Sequence, residues 1–220
     1  MRALRVLLAG VFILGAALPA AGWGRRVHET VARSAALSMP EELRPFFIHA
    51  RAFLALHAED PDQWRENDDS EGKYHYMDID KLDADEREAV DASLEKTYER
   101  LGREKLDDVG LVPWRIAEYT DRLTRAFQEK DWEAALRTAS VLSHYVADAH
   151  VPFHATKNYN GQYTGNLGIH GRFDIEMPKR YLSGPYVAAG PARAIDDVFA
   201  SGLQTIRDSC ALVPQCLEAD

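Results

Sequence analysis

Cysteines are scarce in this sequence: Cys210 and Cys216 are the only 2 among 220 residues. Two cysteines cannot form a disulfide scaffold, and no close cysteine pair with zinc-finger spacing is present. In an oxidising compartment the two could close a small loop, and with unsuitable geometry they would stay reduced. Basic residues are also in the minority, with 26 Lys+Arg against 35 Asp+Glu and a formal net charge of −9. This balance argues against a protein that coats duplex nucleic acid through a basic surface.

A long apolar run of the kind that spans a bilayer is absent. The one apolar run, from Val6 to about Leu18, is shorter than the roughly 20 residues that a transmembrane helix needs. It follows two arginines and precedes small residues, which is the order of a secretory signal peptide. We therefore expect residues 1–22 to be removed after Gly22, giving a secreted or periplasmic domain of residues 23–220. An uncleaved membrane anchor is the alternative.

Alternating strand patterns are nearly absent, and helical periodicity takes their place. Apolar residues recur at three- and four-residue steps in residues 43–54, 116–127 and 132–146, as in amphipathic helices. Asp83, with a glutamate three residues later, predicts a capping box and a helix that continues to about Gly102. A last helix is expected near the C-terminus. These patterns predict an all-α, single-domain bundle of several helices with long loops.

Two stretches break the helical pattern. Residues 57–82 are polar and rich in aspartate, which predicts a long loop or lid. Residues 155–169 contain three glycines and an Asn-Gly step, which predicts irregular structure. Long irregular segments inside a compact helical domain usually serve a function. Both stretches are therefore candidate functional regions.

The chemistry is concentrated in histidines and aspartates. His144 and Asp148 are four residues apart on a predicted helix, so that both side chains project from one face. His154 follows just after a proline that ends this helix, and His170 and Asp174 repeat the four-residue spacing. Imidazole nitrogens and carboxylate oxygens are good zinc ligands. One such pair is more often a hydrogen-bonded surface pair, but two pairs joined by a further histidine favour a metal site.

Further residues in the first half of the chain complete a larger pattern. They are Trp23-Gly24 followed by His28, Pro61-Asp62, and His75-Tyr76. Together with the histidines and aspartates above, their order resembles the zinc-dependent phospholipase C and single-strand nuclease superfamily, whose nuclease branch is the S-one/P-one type. The resemblance implies a mostly helical fold around a cluster of three Zn²⁺ ions.

The ligands that the resemblance implies are histidines and aspartates, apart from the residue expected at the mature amino terminus. They form three sets: Asp62, His75, His144 and Asp148; His154, His170 and Asp174; and the amine and carbonyl of Trp23 with His28 and a bridging Asp148. An amine still in peptide linkage cannot coordinate a metal, so the third set requires removal of the signal peptide.

The same resemblance selects one aspartate of the first set and gives roles to two residues near that set. Asp62 is preferred over Asp60 as the ligand because the family's ligand follows a proline, and Arg65 then falls three residues later. Arg65 would pair with a phosphate oxygen, with an ordinary surface position as the alternative. Asp78 matches an active-site acid of the nuclease branch and would orient the nucleophile. A phosphodiester is an anion attacked by an anion, and bound zinc lowers the pKa of water toward about 7.

The resulting expectation is a secreted phosphodiester hydrolase that uses zinc-activated hydroxide, most closely an S-one/P-one-type nuclease for single-stranded nucleic acid or nucleotides. The short spacing from Trp23 to His28 and the aspartate at Asp174 favour that branch. Tyrosines near the predicted site could stack on a base, although tyrosines in polar loops are more often structural; they are Tyr74, Tyr76, Tyr159 and Tyr163.

Two alternatives stay open at this point. Phospholipase C activity on phospholipid headgroups is favoured by Pro61-Asp62 and by Phe173, where the nucleases commonly have tryptophan. A secreted zinc-binding protein without turnover is the non-catalytic alternative. In either case we expect a monomer without stable membrane insertion.

Overall fold

The computed structural model describes residues 24–188, 190 and 192–220. The predicted signal peptide and Trp23 therefore lie outside the described residues. The described part of the chain is helical and contains no strand, so the prediction of an all-α, single-domain fold is confirmed. No described helix is both long and apolar enough to cross a membrane.

The helices are numbered in chain order. Those before residue 110 are α1 (Arg25–Ser38), α2 (Arg44–His49), α3 (Arg51–His57), α4 (Asp60–Arg65), α5 (Ala84–Glu88), α6 (Leu94–Leu101) and α7 (Arg103–Val109). Those after it are α8 (Val112–Glu129), α9 (Trp132–Ala149), α10 (Ile169–Gly171), α11 (Met177–Tyr181) and α12 (Val198–Ala219), with a π-helical turn, Arg172–Glu176, joining α10 to α11. Short 3-10 turns form at Gly72–Tyr74, Ile79–Lys81 and Pro152–His154.

The centre of the fold is α9, which packs between two groups of helices. It forms a hairpin with α8, because Lys130 adopts a left-handed conformation (φ 57°) and Asp131 accepts a hydrogen bond from the backbone N–H of Ala134 at 3.0 Å. On this side α12 completes the larger core, in which Tyr145 and Ile206 are fully buried. This core covers only one side of α9.

On the other side, α1 and α3 pack against α9. Their contact is a second apolar cluster that includes Ala32, Phe47 and Leu54, with Leu136 of α9 packed on it. Because α9 is covered from both sides, polar side chains on its C-terminal half become buried. This is the location of the His144/Asp148 pair.

The stretch 57–82 is more regular than predicted. The prediction of one long loop is wrong for residues 60–65, which form α4. Pro61 lies at the start of this helix, where the missing N–H of proline costs nothing, and Asp60 and Asp62 lie in its positively polarised first turn. The short helix fixes the direction in which Asp62 points.

The single helix predicted from Asp83 to Gly102 is wrong, because the segment contains two helices. The capping box at Asp83 is confirmed, with the backbone N–H of Glu86 donating to the Asp83 carboxylate at 2.9 Å. The helix nevertheless ends at Glu88, and a new one begins after Ser93, whose hydroxyl caps it. The N-cap at Ser93 therefore starts a new helix where the charged pattern predicted one continuous helix.

The predictions for the C-terminal third agree with the structure in outline. Residues 155–168 consist of turns, and the last helix is present as α12, with Asp197 as its N-cap. Both cysteines lie on α12 and carry free thiols. Residues six apart on an α-helix are separated by roughly 9 Å along its axis, beyond the reach of a disulfide.

Candidate metal centre

Asp148 lies at the centre of a buried cluster of histidines. Its side chain is completely shielded from solvent, and its two carboxylate oxygens face different directions. Oδ2 lies 2.9 Å from His75 Nδ1 and 3.2 Å from His144 Nε2. Oδ1 lies 3.5 Å from His28 Nε2 and 3.7 Å from His154 Nδ1. One carboxylate thus connects histidines from four separate segments of the chain.

The first candidate group for a metal ion is Asp62, His75 and His144. His75 follows the 3-10 turn Gly72–Tyr74, and its Nδ1 lies 3.0 Å from His144 Nε2 and 3.7 Å from Asp62 Oδ1. Asp62 is held by its partner Arg65, whose Nη2 lies 3.1 Å from the same Oδ1. Asp60 points elsewhere and pairs with His57 at 2.8 Å.

The second group is His28, His144 and Asp148. The rings of His28 and His144 stack with their centroids 3.9 Å apart. His28 belongs to α1, and its side chain is fully buried where α1 crosses the end of α9. The predicted third ligand set paired His28 with Trp23, which is outside the described residues, and with Asp148, which the structure brings to it.

The third group is His154, His170 and Asp174. Nε2 of His154 and Nε2 of His170 lie 3.1 Å apart, and the Oδ2 atom of Asp174 lies 2.6 Å from the latter. Asp174 is part of the π-helical turn, a rare form that is frequently found at functional sites. The backbone N–H of Gly24 donates to the carbonyl of Asp174 at 3.2 Å, so the start of the described chain is attached to this group.

The donor atoms of these groups fit a bound cation. Buried polar atoms normally have a hydrogen-bond partner. Among the described residues, both nitrogens of His28 have none, nor do Oδ1 of Asp148 and Oδ1 of Asp174. These are nitrogen and oxygen atoms of the types that bind zinc, facing one another in a solvent-shielded space. Metal ions satisfy such an arrangement without further hydrogen bonds.

The outward-facing ring nitrogens are fixed by other groups, which sets the orientation of each imidazole. Nδ1–H of His144 donates to the carbonyl of Ala58 at 2.8 Å, and Nδ1–H of His154 donates to the carbonyl of His75 at 3.0 Å. Because a carbonyl can only accept, these contacts leave Nε2 of both rings free to act as the ligand.

Behind His75 lies a carboxylate that sequence reasoning missed, at ion-pair distance and not in a hydrogen bond. Nε2 of His75 lies 3.8 Å from Oε1 of Glu71, a buried carboxylate. Glu71 in turn accepts hydrogen bonds from the hydroxyl of Tyr145 and from Nη2 of Arg115, the latter at 2.8 Å. The sequence contained a signal for Glu71, because it precedes His75 by four residues. This is the spacing that places two side chains on one face of a helix.

At His28, His75 and Asp148 the electrostatics favour the protonation states that bind metals. Burial, with the neighbouring His144, holds the pKa of His28 well below its usual value. Burial also lowers the pKa of His75. Burial alone would raise the pKa of Asp148, but the surrounding histidines outweigh it and hold that pKa well below 3.8. A neutral imidazole and an ionised carboxylate are the forms that coordinate zinc.

A cavity of about 400 Å³ opens onto the first and third groups, with His75, His154 and His170 in its wall. The two residues predicted to act on the substrate, Arg65 and Asp78, line the same cavity. Sequence reasoning did not identify its further charged residues, Lys81 and Asp108, or the aromatic Phe153. No single motif connects these residues, and only the fold brings them together.

Asp78 is a buried carboxylate in this wall. Burial raises its pKa from 3.8 to about 6, although the ammonium of Lys81, 3.2 Å away, acts in the opposite direction. Lys81 also pairs with Asp108 at 3.0 Å. His150 is exposed, and its Nδ1–H donates to the carbonyl of Val146 at 2.7 Å.

Eight of the nine predicted metal ligands are thus described, and all eight lie in the three groups or between them. The chain matches the family model for zinc-dependent phospholipase C over residues 27–209. It belongs to the zinc-dependent phospholipase C family. The matched stretch contains the described members of all three groups. Membership of this family identifies the chain as a zinc-dependent hydrolase that acts on phosphoester bonds. No curated protein and no solved structure matches it.

Proposed function

We propose that the protein hydrolyses phosphodiesters in the cavity beside the three groups, with phospholipids as the first substrate class. The observation that carries this proposal is the convergence of the first and third His/Asp groups and Arg65 on one cavity, in a chain of the phospholipase C family. Bound zinc would supply positive charge for the phosphate and a water molecule of lowered pKa.

The proposed ligand sets are those implied by the sequence resemblance, with three zinc ions per chain. Asp62 is supported as a ligand over Asp60, because its oxygen faces His75 while Asp60 pairs with His57. The contact of Asp148 with His28, on the helix that begins just after Gly24, supports a site that the free amine of Trp23 would complete after cleavage at Gly22. Secretion is therefore part of the proposal.

The protein's own side chains would bind and orient the substrate. Arg65 would donate from its guanidinium to a non-bridging phosphate oxygen, and its contact with Asp62 fixes the direction of that group. Asp78 would accept a proton from the attacking water or hold that water in line with the phosphorus. Its pKa of about 6 places this change of charge near neutral pH.

Cleavage of single-stranded nucleic acid, the activity that the sequence favoured, is the second candidate. The supporting observation is that Tyr76 and Tyr159 line the same cavity, where flat rings can stack on a base. The acidic composition of the chain does not oppose this, because stacking and metal contacts act locally. The family match favours phospholipid, so nucleic acid is placed second.

A metal count combined with substrate assays tests the proposal. The protein that starts at Trp23 is expected to contain three zinc ions and to release a phosphorylated headgroup from phosphatidylcholine. Single-stranded DNA and RNA are assayed in parallel, with His144→Ala as the inactive control. Fewer than two zinc ions per chain would overturn the metal cluster. Three zinc ions without hydrolysis of any of these substrates would leave the non-catalytic zinc-binding protein as the explanation.

A further inference from the structure

Beside the cavity, the segment 157–168, here named the rim loop, holds apolar side chains out toward solvent. Tyr163 is 71 % exposed and Leu167 is 69 % exposed, the two highest values among the large hydrophobic residues that the structure describes. Tyr159 of the same loop is 42 % exposed and also lines the cavity. The loop therefore joins an exposed apolar surface to the proposed active site.

The base of the rim loop is fixed to the opposite wall of the cavity. Asp80 accepts a hydrogen bond from the hydroxyl of Thr156 at 2.7 Å and another from the backbone N–H of Lys157 at 2.8 Å. Asp80 lies between Asp78 and Lys81, which line the cavity. The position of the loop is thus coupled to the wall that carries Asp78.

Hydrogen bonds inside the loop hold its conformation. The side chain of Asn158 is buried, accepts from the N–H of Tyr163 at 2.9 Å and donates to Thr164 at 3.1 Å. Gly161 has φ 70°, and a Cβ there would lie 2.3 Å from the carbonyl oxygen of Asn166, so the turn admits only glycine. Polar groups therefore occupy the interior of the loop, and the apolar rings and the leucine side chain point outward.

The far end of the loop is tied to the C-terminal helix. Arg172 donates to the carbonyls of Leu167 at 3.0 Å and Asn166 at 3.3 Å, and its Nε donates to the Asp220 carboxylate at 2.8 Å. The exposed Leu167 side chain is therefore carried by a backbone that is fixed at both ends.

The charge of this segment differs from that of the chain as a whole. The chain contains 35 Asp+Glu, but the stretch 149–173, which includes the rim loop, contains neither residue type. Its charged side chains are Lys157, which is exposed, and Arg172. A segment without carboxylates of its own can approach phosphate groups with little repulsion, because the adjacent Asp220 carboxylate is paired with Arg172. The net charge of −9 disfavours a strongly anionic membrane.

From these observations we infer that the rim loop seats the protein on a phospholipid bilayer with zwitterionic headgroups. Tyr163 and Leu167 enter the boundary between headgroups and acyl chains, where tyrosine has an apolar ring in lipid and a hydroxyl in water. Tyr159 then lies between the bilayer surface and the cavity that receives the headgroup. This inference rests on the proposed function, because it names the physical form in which the substrate is met.

The test measures binding of the full chain, loaded with zinc, to phosphatidylcholine vesicles by co-sedimentation. The double variant Tyr163→Ser/Leu167→Ser should lower the partition constant for vesicle binding at least tenfold. The matched control is Leu56→Ser on α3, which removes a side chain that is 59 % exposed but belongs to a helix outside the cavity wall. Equal vesicle binding by the double variant and the control would overturn the inference. So would a change in vesicle binding on adding anionic lipid that is larger than the change caused by the double variant. Melting temperatures of all variants are compared, since both changes are at exposed positions and should leave them unchanged.

A soluble substrate separates the surface from the active site. On a short-chain phosphatidylcholine below its micelle concentration, the double variant should hydrolyse within about twofold of the unmodified protein, while its rate on vesicles falls tenfold or more. If the double variant lost binding to single-stranded DNA but kept its binding to vesicles, the inference would be overturned. The loop would then be a surface on which bases stack. If no lipid is hydrolysed but vesicle binding depends on the loop, the proposed function fails while the surface stands.

Discussion

One carboxylate oxygen of Asp148 lies 3.5 Å from Nε2 of His28, although the two residues belong to helices α9 and α1. The other oxygen of the same carboxylate faces His75 and His144. A single aspartate would therefore be able to offer one carboxylate oxygen to each of two metal ions. This relationship ties the helix nearest the amino terminus to the centre of the site.

Asp148→Asn should have the largest effect of any single change in the cluster. An amide offers one oxygen where the carboxylate offers two, and it removes the negative charge that the histidines surround. We expect the loss of at least two zinc ions per chain and a fall in hydrolysis of more than about 100-fold, the upper range for residues that only support a ligand. Zinc is counted by atomic emission. Asp121→Asn, at an exposed position of α8, is the control and should keep its metal content.

The pair Asp62→Asn and Asp60→Asn tests the choice between two aspartates on one short helix. Asp62 faces His75, whereas Asp60 contacts His57. Asp62→Asn should therefore lose one zinc ion and most of the activity, while Asp60→Asn keeps both. The reverse result would show that α4 presents its other aspartate to the metal.

Glu71→Gln tests the support of His75. The change keeps the shape of the side chain but removes the charge that faces Nε2 of His75 and that Arg115 pairs with. We expect the zinc dissociation constant to rise about 10- to 100-fold, as for other outer partners of ligating histidines. Glu118→Gln removes the other carboxylate that pairs with Arg115, at 3.1 Å, and should leave zinc affinity unchanged. Equal zinc affinity in the two variants would argue that Glu71 has only a packing role.

The raised pKa of Asp78 makes a prediction about stability. Burial raises this pKa from 3.8 to about 6, so between these values the folded chain keeps a proton that the unfolded chain has released. The associated stability is complete below about pH 4 and is lost as the pH rises through about 6. Relative to Asp78→Asn, which does not titrate, the unmodified protein should lose up to about 3 kcal/mol of unfolding free energy over this range. Urea unfolding at pH 4.5 and 7.5 measures it, and a constant difference would contradict the prediction.

The amino terminus gives a prediction about the third zinc site. A protein that begins at Trp23 is compared with one that carries a single additional alanine before it. The added residue places the Trp23 nitrogen in a peptide bond, where it cannot coordinate a metal, so one zinc ion should be lost or bound more weakly. Unchanged zinc content and rate in the extended protein would refute coordination by the terminal amine.

Local signals in the sequence were sufficient wherever one interaction dominates. The Asp83 capping box appears where it was predicted, because a side chain that accepts from the third backbone N–H fixes a helix start by itself, as Asp131 also does for α9. The wrong prediction for residues 60–65 also concerns a local signal. The aspartates there were interpreted as loop residues, but beside Pro61 they are favourable in a first helical turn.

The pairing of His144 with Asp148 was determined by the sequence alone, because a spacing of four residues on an α-helix fixes their relative positions. His170 and Asp174 have the same spacing, but the π-helical turn that carries Asp174 was visible only in the structure. The tertiary structure decided which segments meet. It brought His28 to Asp148, placed Glu71 behind His75, and gathered the cavity wall from distant parts of the chain. These contacts depend on the burial of α9 between two apolar clusters, which is a property of packing between helices. Packing of this kind has no fixed spacing in the sequence, so it became visible only in the folded chain.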